Sequence, residues 1–422
     1  MRQLLTVSLL FLPLFIVAQE LSDKQNNSFI FTTEVMVGQS AESNSNYPER
    51  NLQYQLWANF GWDQSKNWQE WAQRMKKVRT GIGLGYTNFG NSDSLGSAIT
   101  LMPNIEFNAF RSDRLKVNVG MGGSYFTKKY DPLTNPNNQG ITTDLAWSFR
   151  LFMYYNFLTG EKIDWRMGIG YSHHSNGHTR LPNQGVNSFL LSLSADLKSN
   201  IANTSEEIDI NRYTRSSYSY LSLRSGYGIN VLSGAYNDKK GIYTVSGAYG
   251  KVLNNTFRIG VGAYYRFYQH YYDYIEGNES LVQDGREFES FKMNPGWNAS
   301  NIGIYLNGEF LLNHFGIDLG IGYNLHKPAY KIDWRINQGW DNTPREIPEY
   351  WMLGEFDSKF KLKHAILTRM GLKYYLIGTT KAPKNNLYLG FHINANLGQA
   401  DFTELSLGYV YSFNFMNRED KP

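Results

Sequence analysis

Residues 170 to 187 read GYSHHSNGHTRLPNQGVN and hold three of the chain's eight histidines. His173 and Ser175 stand two residues apart. A serine hydroxyl is a weak nucleophile until a neighbouring base takes its proton, and an i, i+2 pair on a strand sets imidazole and hydroxyl side by side on one face. A third group that orients the imidazole completes the logic of a triad, and Asn187 on the returning segment is the candidate for it. Asn176, Asn183 and the backbone N–H groups around Gly177 are candidate donors to the oxyanion of an acyl transfer. SNG and PNQG are also ordinary turn formers. The chemistry therefore depends on which way each side chain points.

That direction is set by the segments on either side. In IDWRMGIGYSHHS, Ile163, Trp165, Met167, Ile169 and Tyr171 share one face, and Asp164, Arg166, Gly168, Gly170 and Ser172 the other. Continuing the alternation puts His173 and Ser175 on the apolar face and His174 on the polar one. The returning VNSFLLSLSADL puts Asn187 on the apolar face with Phe189, Leu191, Leu193, Ala195 and Leu197. His, Ser and Asn from neighbouring strands thus converge on one side. His174 and His178 read as lumen or loop residues.

The same period of two recurs from about residue 28 to the C-terminus, most clearly in TELSLGYVYSFNF, where Leu405, Leu407, Tyr409, Tyr411, Phe413 and Phe415 oppose small and polar residues. An apolar row opposite a polar one suits a strand between lipid and a wet lumen. Aromatic residues at 15%, charged residues at only 18% and 39 glycines fit such strands better than a helical enzyme. The first residues, MRQLLTVSLLFLPLFIVAQE, read as a signal peptide over 1–18, so the chain is expected to be exported. No later apolar run nears the roughly 20 residues of a membrane helix, whereas a membrane strand needs only about 9 to 11. There is no cysteine, hence no disulfide, cysteine metal site or thiol nucleophile. A net charge of +4 is too small to point to nucleic acid.

The expected fold is therefore all-β: a transmembrane antiparallel β-barrel of the outer membrane over 19–422, with about 16 strands and 14 as the alternative count. With the N-terminus periplasmic, short turns and long loops alternate as they should, except at WDQSKNWQEWAQRMKK, which suits a short amphipathic helix, and at the polar KSNIANTSEEIDINRYTRS, which has no such reading. No repeat or domain linker stands out. The alternative, a secreted β-sandwich, would turn its apolar face inward and its charged face outward.

At HHSN (173–176), PNQG (182–185) and Val186-Asn187 the sequence resembles the PagL-type lipid A deacylases, outer-membrane barrels that remove an ester-linked acyl chain from lipopolysaccharide. RTGIGLGYTNFGNSDSLGSA, YFTKKYDPLTNPNN and ANLGQADFTELSLGY extend the likeness to the longer acyloxyacyl-hydrolase-like proteins of Gram-negative bacteria. The resemblance implies Ser175 as nucleophile, His173 as general base, Asn176 and Asn183 as oxyanion support, no cofactor or metal, and lipid A of the outer leaflet as partner. It departs at the acid, where Asn187 stands in place of glutamate. Asparagine can hold a histidine ring but cannot stabilise an imidazolium by charge. By parity Glu404 and Asp164 face the lumen and cannot replace it, while Asp401 has outward parity but lies far off in strand order. The competing reading is a non-catalytic barrel, a porin, transport or structural protein that keeps the motif; phospholipid hydrolysis is a third.

Overall fold

A computed structural model describes residues 29–44, 46–75, 77–110, 112–198, 215–337 and 358–417. The expected signal peptide lies outside them. Sixteen strands run in chain order: β1 Phe29–Ser40, β2 Gln53–Asp63, β3 Arg79–Asn88, β4 Ser97–Asn108, β5 Leu115–Phe126, β6 Leu145–Thr159, β7 Ile163–Ser175, β8 Val186–Lys198, β9 Ser216–Asn230, β10 Lys240–Leu253, β11 Phe257–Tyr268, β12 Ser300–Leu312, β13 Phe315–His326, β14 Ile366–Tyr375, β15 Asn385–Asn396 and β16 Gln399–Asn417. All pair antiparallel.

The strands close as two rings of eight where a single ring was expected. β1 pairs with β8 to shut the first, and β16 with β9 to shut the second. The polar connection that spoiled the loop pattern is the one between the two rings; its residues 199–214 lie outside the described set. Alternation alone does not distinguish one closure from the other, because it reports the two faces of each strand and not the partner of the last one.

Each ring carries an outward band of exposed Leu, Ile, Val, Tyr and Phe, as a lipid-facing wall does. Inside, buried charge is paired. In the first barrel Glu34 accepts from Arg150 at 3.0 Å and from Tyr154 at 2.6 Å, and the Arg150 guanidinium lies 4.5 Å from the Trp57 ring centre. In the second, Glu309 accepts from Arg258 at 3.0 Å, Lys373 at 2.9 Å and the Tyr375 hydroxyl. Glu404 pairs with Arg224 at 3.2 Å. These side chains occupy the interiors and are almost wholly buried. An eight-stranded ring is narrow enough for side chains to fill, which is the physical difference from a sixteen-stranded channel.

At the end read as periplasmic, the expected short helix is present at Glu70–Met75 and buries Trp71 and Ala72 against Val78 and Ile105. At the other end two helices, Gln269–Glu276 and Tyr330–Asn337, pack Tyr271, Tyr274, Ile275, Ile332 and Ile336 over the mouth of the second barrel. Asp401 is corrected by the structure. It is buried and accepts from the Tyr268 hydroxyl at 2.8 Å, inside that mouth. The register slips there, with Asn394 opposite Phe402 but Ala395 opposite Ala400, so Asp401 is the extra residue of a bulge and its parity inverts.

Candidate active site

β7 and β8 form the hairpin that carries the motif, with His173 directly opposite Asn187. The register makes their side chains neighbours on the outward face, as the alternation predicts. His173 Nδ1 lies 2.7 Å from Asn187 Oδ1, and the Tyr171 hydroxyl donates to the same oxygen at 2.5 Å. An amide oxygen already receiving one proton accepts a second from Nδ1–H, which leaves Nε2 as the basic nitrogen. Tyr171 was missed in the sequence, although its parity with His173 was plain.

Ser175 ends β7 beside this pair. Its Oγ accepts from Asn183 Nδ2 at 2.9 Å and from the Gly177 N–H at 3.2 Å, so its own proton is free for a base. Among the described residues no hydrogen bond joins His173 to Ser175; both stand on one face two residues apart, and such contacts tighten when substrate is in place. Asn176 bonds within the turn. Its N–H donates to Asn183 Oδ1 at 2.9 Å, and its side chain donates to the Arg180 carbonyl at 2.7 Å and accepts from the Thr179 N–H at 3.2 Å. It builds the turn and aims Asn183, while Asn183 and Gly177 present the donors.

The PNQG segment is backed by the loop between β5 and β6. The N–H groups of Gln184 and Gly185 donate to the carbonyls of Gln139 and Gly140, both at 3.0 Å, and the Thr142 hydroxyl donates to the Pro182 carbonyl. Ile141 and Val186 share an apolar cluster with Tyr47, Phe89 and Phe126. Gly185 has φ +76°, and a Cβ there would fall 2.9 Å from His173 Cε1. The glycine is what lets the backbone lie against the imidazole edge.

His174 points inward, 2.8 Å from Ser148 Oγ and edge-on to Phe89 and Phe126. The His178 carbonyl accepts from the Val231 N–H at 3.2 Å, across to the second barrel. Neither joins the site. Glu404 and Asp164 face the interiors, where Arg224 and Lys198 pair with them, so no carboxylate from those positions reaches His173.

The family model described as Lipid A 3-O-deacylase (PagL) matches residues 50–196, from just ahead of β2 to near the end of β8. The matched stretch lies within the first barrel. A crystal structure titled the outer membrane enzyme PagL is 19% identical, with 39% of this chain and 97% of that chain covered and a TM-score of 0.28. De novo designed transmembrane β-barrels are 10% identical over 40% of this chain and 95% of theirs, with a TM-score of 0.22. A mutant porin from Rh. blastica is 11% identical over 92% of this chain and 99% of its own, with a TM-score of 0.17. No curated protein matches. The stretch that matches the family model carries the hairpin with His173, Ser175 and Asn187, in an all-β chain of two closed barrels.

Proposed function

We propose that the protein is a lipid A deacylase acting from the outer face of its PagL-type barrel. Ser175 Oγ attacks the carbonyl carbon of an ester-linked acyl chain while His173 Nε2 takes the hydroxyl proton. The carbonyl oxygen becomes an oxyanion, within reach of the Gly177 N–H and Asn183 Nδ2 that already converge on Ser175 Oγ. Collapse expels the sugar oxygen, which takes the proton from His173, and leaves an acyl ester on Ser175. Water then attacks that ester with His173 again as base, and a fatty acid leaves. Asn187 holds the ring by an amide dipole where a carboxylate would hold it by charge, so the imidazolium gains less and the turnover is slower than with an acid there.

The observation that carries this reading is the placement of the whole constellation. His173, Asn187 and Ser175 lie on the outward face of the stretch that matches the family model, on the side away from the filled lumen. A substrate that lives in the outer leaflet arrives from that side. No step calls for a metal or cofactor.

The test is the mass of lipid A in a Gram-negative host expressing the full chain. Loss of one ester-linked chain is expected, with the free fatty acid recovered. Ser175→Ala and His173→Ala proteins, folded as judged by heat-modifiable migration, are each expected to reduce conversion by at least about 100-fold. Conversion equal to wild type by either variant sinks the proposal.

A further inference from the structure

Ser175 is 4% exposed, although Ile169 on the same face of β7 is 61% exposed. Asn183 and Gly177 of its own loop close on its hydroxyl, and the second barrel stands against that loop and its neighbour Trp147. Trp147 on β6, directly opposite Ser175, stacks on Phe391 of β15 with ring centres 4.3 Å apart and planes 21° from parallel. Its Nε1 donates to Thr403 Oγ1 on β16 at 3.1 Å. Gly177 passes so close that a Cβ would lie 2.3 Å from Thr403 Oγ1 and 3.2 Å from Trp147 Cδ1. Beside this bridge, Leu181 and Asn237 exchange hydrogen bonds of 2.9 and 2.6 Å between the motif loop and the loop after β9.

Below the bridge the two walls change character. The outward residues Val117, Val119 and Met121 of β5 and Thr368, Met370 and Leu372 of β14 are half-covered, as a wall facing another wall must be. At the far end Leu312 and Ile317 of the second barrel pack on the cluster of Trp71 and Ile105 in the first. Next to this seam, Leu151 and Met153 of β6 and Leu389, Leu405 and Leu407 of β15 and β16 are exposed. These exposed rows on the two barrels flank the seam and outline an apolar cleft beside it, on the strands that carry the Trp147–Phe391 stack next to Ser175.

We infer that this cleft holds the acyl chain of the ester cleaved at Ser175, so that β15 and β16 of the second barrel form the far wall of the acyl site. The inference rests on the deacylase reading. A carbonyl carbon at Ser175 Oγ has its alkyl tail within a few bonds, and the tail must follow apolar surface. Two such paths leave the site: down the cleft, or across the open outer face of β8 over Phe189 and Leu191. The cleft gives contact on two sides, the open face on one, and burial of alkyl surface is what binds such a tail.

Two experiments on the full chain decide between the paths. The first uses Ser175→Ala protein in vesicles containing lipid A with a diazirine on its ester-linked chain, and maps the photo-crosslinked peptides. Adducts on β15–β16 as well as β6 are expected; adducts confined to β7 and β8 overturn the inference. The second compares release of fatty acids of graded length by wild type, Leu389→Trp and Leu405→Trp, each folded by heat-modifiable migration. Filling the cleft is expected to lower release of the longest chain by about tenfold relative to the shortest. An unchanged length profile overturns it, and so does a uniform rise in rate in Phe391→Ala, which would mark the bridge as a plug. If wild type releases no fatty acid while the adducts fall on β15–β16, the deacylase reading fails and the cleft stands as a lipid-binding site.

Discussion

At the residue scale, the proposed chemistry turns on the oxygen that His173 and Tyr171 share. Asn187 Oδ1 receives both, so the imidazole is held in one tautomer without a charge behind it. Replacing Asn187 by Asp keeps the shape and adds the charge. Asn187→Asp is expected to raise kcat by about tenfold or more, because an ionised partner strengthens the hydrogen bond to a developing imidazolium. Asn187→Glu, which supplies the acid of the family the motif resembles, is expected to act in the same direction. Tyr171→Phe removes the donor that fixes the amide and is expected to lower kcat severalfold, by roughly 1 kcal/mol, with KM nearly unchanged. Steady-state kinetics on a lipid A ester measures all three; no gain with either acid would mean that position 187 is not the orienting position. The shared outward face of His173, Ser175 and Asn187 was legible in the sequence because parity needs nothing beyond neighbours along a strand. The different hydrogen bonds of Asn176 and Asn183 were not, since both sit in turns, where no periodicity says which amide points where.

At the scale of elements, the site is a hairpin end clamped by a loop. The N–H groups of Gln184 and Gly185 bond to the loop at Gln139 and Gly140, and Gly185 lies against the imidazole. A methyl group at position 185 meets two penalties at once, a φ of +76° and the ring edge. Gly185→Ala is therefore expected to displace the His173 ring and reduce kcat by about 100-fold, since a misplacement of about 1 Å costs that much, while the barrel still folds. Kinetics alongside heat-modifiable migration separates the two effects; full activity with folded protein would show that the ring does not need this seat. The count of sixteen strands was readable from the period of two. Parity failed at Asp401, where the extra residue of a bulge breaks the period of two without any mark in composition. The segment YFTKKYDPLTNPNN carries its likeness in sequence, but only the fold shows that the loop it belongs to braces the PNQG turn.

At the scale of the whole molecule, the partner of the last strand was the hidden quantity. A period of two is the same in one ring of sixteen and two rings of eight, and the only trace of the division was a polar connection that broke the alternation of loop lengths. Its consequence is large, since a ring of eight has an interior that side chains fill. In the second barrel Arg258, Lys373 and the Tyr375 hydroxyl meet on Glu309, and Lys373 also reaches Asp318 at 2.8 Å. Purified protein in planar bilayers is expected to show no stable single-channel conductance, and steady openings would contradict the filled interiors. The same network makes a stability prediction. Glu309→Ala deletes the carboxylate but leaves Arg258 and Lys373 buried with half their partners. Breaking a buried pair by removing one side costs about 3–5 kcal/mol, because the remaining charge is uncompensated. The variant is expected to unfold at a clearly lower temperature in heat-modifiable migration. A double variant, Glu309→Gln with Lys373→Met, removes one cation together with the anion and is expected to recover much of the loss. If Glu309→Ala unfolds at the wild-type temperature, water or rearrangement satisfies the two cations and the network is not what holds the second barrel shut. Since β15 and β16 carry Phe391 and Thr403 to the site, a loosened second barrel is also expected to blunt the proposed chain-length preference while the first barrel keeps the hydrolysis proposed for it.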